Sequence, residues 1–425
     1  MLRLISLLLM ALSVAGQSAY PLVQIYEAQT HSGSSEPSIV IDPANPSRVL
    51  AGSVLNEFHW SEDSGKTWQS GLLNSPHGVW GDPCVIADGL GHLYYFHLSD
   101  PTGENWRGKQ FLDRIVCQRS DDGGKTWNEG SYAGLNPPKQ QDKEWAVASP
   151  LGDRLYLSWT EFDEYGSPDS TKRSRILFAY SDDRAENWSA TRVLSTYTGN
   201  CLDDDQTTEG AVPAAGLHGE VYVAWAYDGK IWFNRSLDQG ETWWPAEKLL
   251  AEQKGGWAQE VEAFSRINGM PITACDVSDG AYKGMVYVLW SDEREGNLDI
   301  WLSRSTDRGD SWSAPVRVND DSTQAAQFLP WLAVDPMTGV LYTVFYDRRH
   351  DPQGNSNHVY LAWSKDAGHT WVNEQLTLKP FETDKRLFMG DYNNISAWNG
   401  MVRPIWVEVR NGRKQLWTAL IQNVH

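Results

Sequence analysis

Acidic residues recur at one kind of position in this chain, the start of a short apolar run of β type. The positions are Glu36, Asp82, Glu144, Glu209 and Asp391, with Met270 and Leu329 at the two remaining starts. Five acids in seven such places exceed the one or so that 55 Asp and Glu in 425 residues would put there. A second column, four residues past a recurrent Trp-type position, reads Arg294, Arg349 and Arg410. Carboxylates gathered in a concave site raise one another's pKa, leaving one protonated as a general acid. Guanidinium groups bind a carboxylate or sulfate through paired hydrogen bonds. An anionic sugar held by arginines, its glycosidic oxygen near carboxyls, is a layout for glycoside cleavage. Trp80, Trp145 and Trp331 flank the same starts and offer faces for a sugar ring. The alternative is structural. Acid and Arg would tie neighbouring loops together, and the repeat-like SDER (Ser291 to Arg294) and YDRR (Tyr346 to Arg349) favour that.

The elements that position these residues are repeats. An S-x-D-x-G-x-[TS]-W pattern occurs at Ser61, Ser120, Ser236, Ser305 and Ser364, with a degenerate copy at Ser181 that has Ala185 in place of Gly. Ser and Asp side chains bond local amides and Gly takes the positive φ, so these are turns without a catalytic role. Each turn closes a longer unit. Upstream lies a strand such as VYVAW (Val221 to Trp225) or VYVLW (Val286 to Trp290), preceded by another such as EPSIVID from Glu36. Short, alternating, Gly-punctuated strands predict antiparallel sheet. The unit is found seven times, and the seventh lacks its turn and last strand. PLVQIYEA (Pro21 to Ala28) supplies a spare strand. Closure of the ring leaves no exposed edge. We therefore expect an all-β, seven-bladed β-propeller over residues 17–425, one domain, its last blade completed by residues 21–28. Strand one of each blade begins where strand two ends, so both residue columns line one mouth. Fifteen of the 22 Trp fall on repeat positions and are expected to pack blade on blade.

A net charge of −19 argues against nucleic-acid partners, whose phosphates need a basic face. Met1 to Ala15 reads as a secretory signal with the cut before Gln17, which predicts a secreted or periplasmic protein. No later run is long and apolar enough to span a membrane. A monomer is expected. Cys84 and Cys117 share one repeat and could pair, a point the sequence leaves open. Asp203, Asp204 and Asp205 could bind a structural Ca²⁺, although a solvated acidic loop is the simpler reading; no other cofactor or metal is expected. His77 and His350 fall in mouth loops and could serve a lyase as base.

The Ser-Asp-Gly turns resemble the Asp-boxes, or BNR repeats, of the sialidase superfamily over nearly the whole mature chain. GDPCVIADGLGHLYYFH (from Gly81) is similar to a conserved sialidase stretch. The resemblance implies a catalytic Glu at Glu209 and a nucleophilic Tyr at Tyr392, with Asp391 or Glu36 as its partner. Glu57, in Asn56-Glu57, stands where the family's acid/base Asp is found. The chain also departs from the family. The F/Y-R-I-P motif is absent, its strand starting instead at Glu36-Pro37, and Tyr227-Asp228 replaces an expected Arg. The family has six blades; seven are counted here. The implied function is a secreted, exo-acting glycoside hydrolase on a sialic or uronic acid type of glycan. Its rivals are a polysaccharide lyase on the same scaffold and a propeller that binds glycan or protein without catalysis.

Overall fold

Apolar alternation with a Gly-containing turn every few residues produces seven antiparallel blades and one small two-stranded ribbon in the computed structural model, which describes residues 20–29, 33–152 and 154–424. The predicted signal segment lies outside the described residues. The innermost strands are Ser38–Ile41, Cys84–Ala87, Gln140–Ala148, Glu209–Ala215, Ile272–Cys275, Gln327–Val334 and Asn394–Trp398. In the first six blades the chain meanders outward through four strands. In the seventh, Asn394–Trp398, Met401–Arg410 and Arg413–Ala419 are completed by Leu22–Glu27, antiparallel to Arg413–Ala419 with Leu22 opposite Ala419. The ring is a seven-bladed β-propeller closed by the N-terminal strand. No helix among the described residues is long and apolar enough to cross a membrane.

Blade-on-blade packing follows from the Trp repeat. Trp159, Trp225, Trp290 and Trp406, all on second strands, are completely buried. Burying a large apolar side chain is worth about 1.5–3 kcal/mol. The Ser-Asp-Gly turns hold the face opposite the mouth. In one of them Asp238 accepts from Thr242 N (2.8 Å) and Thr242 Oγ1 (2.6 Å), while Ser236 Oγ accepts from Gly240 N (2.9 Å). Trp243 Nε1 returns a hydrogen bond to Gly240 O at 3.1 Å.

Strand register corrects the column of acids. Counting two residues back from the first regularly paired inner position gives Glu36, Asp82, Lys143, Gly210, Met270, Leu329 and Tyr392. Bulges between Asp142 and Trp145, and between Glu209 and Val212, displace the pattern in blades three and four. Glu144, Glu209 and Asp391 thus stand one residue off the equivalent position. Glu36, Asp82 and Lys143, with φ of 52°, 49° and 52°, adopt the left-handed conformation that costs non-glycine residues about 1–3 kcal/mol and clusters at functional sites. Gly390 permits the last blade to approach the first, since a Cβ there would lie 2.5 Å from Glu36 N.

Cys84 and Cys117 are unpaired, as are Cys201 and Cys275. Cys84 lies opposite Phe96, and Phe96 opposite Cys117, so two strand spacings of about 4.8 Å separate the thiols' backbones, beyond disulfide reach.

Candidate active site

The starts of blades one to three, the third of them bulged, open into a mouth cleft of about 300 Å³. Its floor carries Glu36, Asp82, Asp142 and Lys143; its walls carry Trp80, Trp106, Tyr165, Arg266 and Phe388. Lys143 is the electrostatic centre. Its Nζ lies 2.5 Å from Asp391 Oδ2, 3.3 Å from Asp82 Oδ2 and 3.8 Å from Glu36 Oε1. Arg266 comes from the turn of a two-stranded ribbon, Ala258–Gln259 with Ile267–Asn268, between blades four and five. It grips Asp391 through Nε at 2.7 Å and through a second, shorter contact from Nη2. Its Nη1 reaches Asp203 at 3.1 Å, and Tyr165 donates to the same Asp203 oxygen at 2.7 Å.

Burial and these partners push the carboxyls in opposite directions. Despite burial, Arg266 and Lys143 hold Asp391 far below the usual carboxylate range, so it is a fixed anion. Burial, with the neighbouring Asp82 second, pushes Asp142 up to about 8. The same two causes raise Glu36 well above the ordinary range. Burial raises Tyr165 as well, helped by Asp142 and Asp203. The cleft therefore presents a protonated Asp142 beside an Asp82 that faces an ammonium. Two carboxyls in unlike environments are what acid–base chemistry requires.

Several sequence-predicted residues lie elsewhere. Tyr392 is buried in an aromatic stopper below the cleft, with Trp145 at 4.7 Å and Trp331 at 6.0 Å between ring centroids. Trp145 and Trp331 pack against each other, tilted by 47° with centroids 4.3 Å apart, so neither is a sugar platform. The Tyr392 hydroxyl turns to Pro83 O at 3.4 Å, and burial raises its pKa well above normal, so a nucleophile at the mouth is not what this residue supplies. Glu209 is fully buried and takes a hydrogen bond from Thr160 Oγ1 at 3.2 Å; burial with Asp203 and Asp142 nearby raises its pKa. Glu144 is buried and raised by desolvation, then by Asp82. Glu57 is spent on Ser53 Oγ (2.7 Å) and Ser34 Oγ (2.8 Å). None of Glu57, Glu144 and Glu209 lines the cleft.

The three arginines do not meet the acids of the mouth. Each pairs with the carboxylate two residues before it: Arg294 with Asp292, Arg349 with Asp347 at 2.8 Å and Arg410 with Glu408 at 2.6 Å. The alternating i, i+2 geometry of a strand end brings these pairs together, so the column is structural. Asp203 faces Arg266, Asp204 accepts from Asn200 at 2.9 Å and Asp205 from Ala258 N at 2.8 Å, so each of the three carboxylates has a protein partner of its own. His77 lies against Arg114, and His350 bonds the Tyr360 hydroxyl at 2.7 Å, both away from the cleft. Sequence reasoning missed Lys143, Asp142, Tyr165, Arg266, Trp106 and Phe388. Only Lys143 and Asp142 carried a signal, as neighbours of Glu144 in the run QDKEW.

No known family profile and no curated protein matches the sequence. Solved structures do. A PL25 ulvan lyase, described bound to -[GlcA(1-4)Rha3S]-, aligns with a TM-score of 0.53 at 12% identity, over 93% of this chain and 96% of that one. The NanB sialidase from Streptococcus pneumoniae aligns at 0.49 and 10% identity, over 89% and 83% of the two chains. Trypanosoma rangeli sialidase aligns at 0.46 and 14%, over 84% of this chain and 56% of that one. The chain is a β-propeller in fold, as its own sheets show, and the alignment with the ulvan lyase agrees.

Proposed function

We propose that the chain is a glycoside hydrolase acting on an acidic glycan, with Asp142 as general acid and Asp82 as the opposing carboxylate. The observation that carries this reading is the pairing, in one cleft, of a carboxyl held protonated by burial with a carboxyl 3.3 Å from the Lys143 ammonium. Asp142 delivers its proton to the glycosidic oxygen as the bond breaks. Asp82 stabilises the oxocarbenium-like carbon, or directs water to it. Arg266, 43% exposed in its side chain, faces the cleft and offers a guanidinium edge to a substrate carboxylate or sulfate. Trp80 and the 58% exposed Trp106 form the apolar walls against which a sugar ring stacks.

A lyase would need a base in the cleft. No histidine lines it, and Tyr165 is both raised and hydrogen-bonded to Asp203, which favours its neutral form. The test is turnover of sialosides, uronosides and uronic acid polymers by the purified protein, followed by reducing ends and by ultraviolet absorbance. Hydrolysis yields reducing ends without an unsaturated, absorbing sugar. Asp142→Asn and Asp82→Asn are each expected to lower kcat by about 10²–10⁴-fold. An absorbing product, or full activity in Asp142→Asn, would overturn the assignment.

A further inference from the structure

A second concave site lies on the mouth side of blades three and four, apart from the cleft. It has a volume of about 460 Å³ and is lined by Arg173, Tyr197, Asn200, Gln206 and Tyr227 among others. Tyr197 and Tyr227 are nearly parallel, 22° between ring planes with centroids 6.4 Å apart. Tyr197 leans on Trp232 at 4.6 Å and is still 50% exposed. Exposing an aromatic ring is unfavourable, and here the backbone enforces it. Glu247 receives Thr196 N and Tyr197 N at 2.9 Å each, and Ser174 bridges Gly199. Gly199 is wedged so tightly that a Cβ would meet Gln206 O, Ser174 Oγ and Thr208 N, each at 2.5 Å. The ring is thus mounted on a rigid loop, at little ordering cost to a ligand.

Among the polar side chains around it, Asn200 is bonded to Asp204 and Gln206 to Asp228, and the spare donors belong to Arg173. Arg173 donates from Nη1 to the Ser170 and Lys172 carbonyls, yet among the described residues it forms no ion pair. The same loop reaches the cleft six residues on, through Asp203. Six residues span at most about 20 Å.

We propose that this site is a non-catalytic anchor for an acidic polysaccharide, with Tyr197 and Tyr227 stacking on sugar rings and Arg173 taking a carboxylate or sulfate of the chain. Only the class of ligand rests on the glycan-active reading of the cleft; the binding itself needs no turnover. Affinity electrophoresis through gels containing polygalacturonate, alginate or chondroitin sulfate tests it, with neutral dextran as control. At least one acidic polymer should retard the protein and dextran should not. Tyr197→Ala and Arg173→Gln should each weaken that retardation by about tenfold, the loss expected of an anchor residue, at unchanged melting temperature. Asp142→Asn, inactive in the cleft, should be retarded like the wild type. Retardation lost in Tyr197→Ala without any hydrolytic activity would sink the hydrolase reading and leave the anchor standing. Absence of retardation in all three acidic gels, equal retardation by dextran, or unchanged retardation in both variants would sink the anchor.

Discussion

Asp142 and His59 show how burial sets protonation in opposite senses. Asp142, at about 8, binds its proton in the fold where a free Asp, near 3.9, has lost it. Activity that needs this proton is present below pH 8 and declines as pH rises through that value. A pH profile of kcat should show the alkaline limb, and Glu in place of Asp142, with a different reach and burial, should displace it. Folding follows the same sign. The raised carboxyl favours the folded state at low pH, and that contribution is lost as pH climbs through about 8. His59 is the reverse. Burial lowers it to about 3, and its neutral ring bonds Ser70 Oγ at 2.7 Å. The fold therefore binds fewer protons than the unfolded chain below about pH 6.5, and stability is lost as pH falls from there. His59→Gln should flatten the acid side of a melting-temperature curve; an unchanged slope would locate the acid sensitivity elsewhere, with the equally buried His97 as the next candidate.

Among the elements, the Ser-Asp-Gly turns were legible because their chemistry is local. Every hydrogen bond of the Ser236 and Asp238 side chains joins residues within four positions. The degenerate copy keeps this geometry at a cost: Ala185 sits at φ 61° where its counterparts Gly65, Gly240 and Gly309 sit at 86°, 87° and 85°. Ala185→Gly should raise stability by about 1 kcal/mol, the left-handed penalty of a residue bearing a Cβ, as read by denaturant midpoint. Asp238→Ala should lower it by a similar amount, about 1 kcal/mol, for the lost amide bonds, and leave kcat untouched because the turn faces away from the cleft. The site was less legible for a reason of register. A single bulge residue in blade three put Lys143, not Glu144, at the lip, and no periodicity reveals a bulge. Arg266 and Trp106 were hidden more deeply, since they ride on insertions outside the repeat. The ligand reading of the arginine column gave way to the structural one that its repetition favoured, its partners two residues earlier being already in view.

On the scale of the whole ring, one joint carries the closure. Leu22–Glu27 joins blade seven from the other end of the chain, and it covers the edge of Arg413–Ala419. Removing residues 20–28 should expose that edge, broaden thermal unfolding and promote association, read by calorimetry and light scattering. A truncated chain that melts as sharply as the full one would mean that the seven sheets hold together without the clasp. The axis has a consequence of its own. Trp145, Trp331 and Tyr392 leave about 20 Å³ of free space beneath Lys143, enough for one water molecule. The ring cannot be threaded like a bead on a string. Any polymer it handles must arrive from the side or present a free tip, and whatever is released has to leave by the door through which the substrate came in.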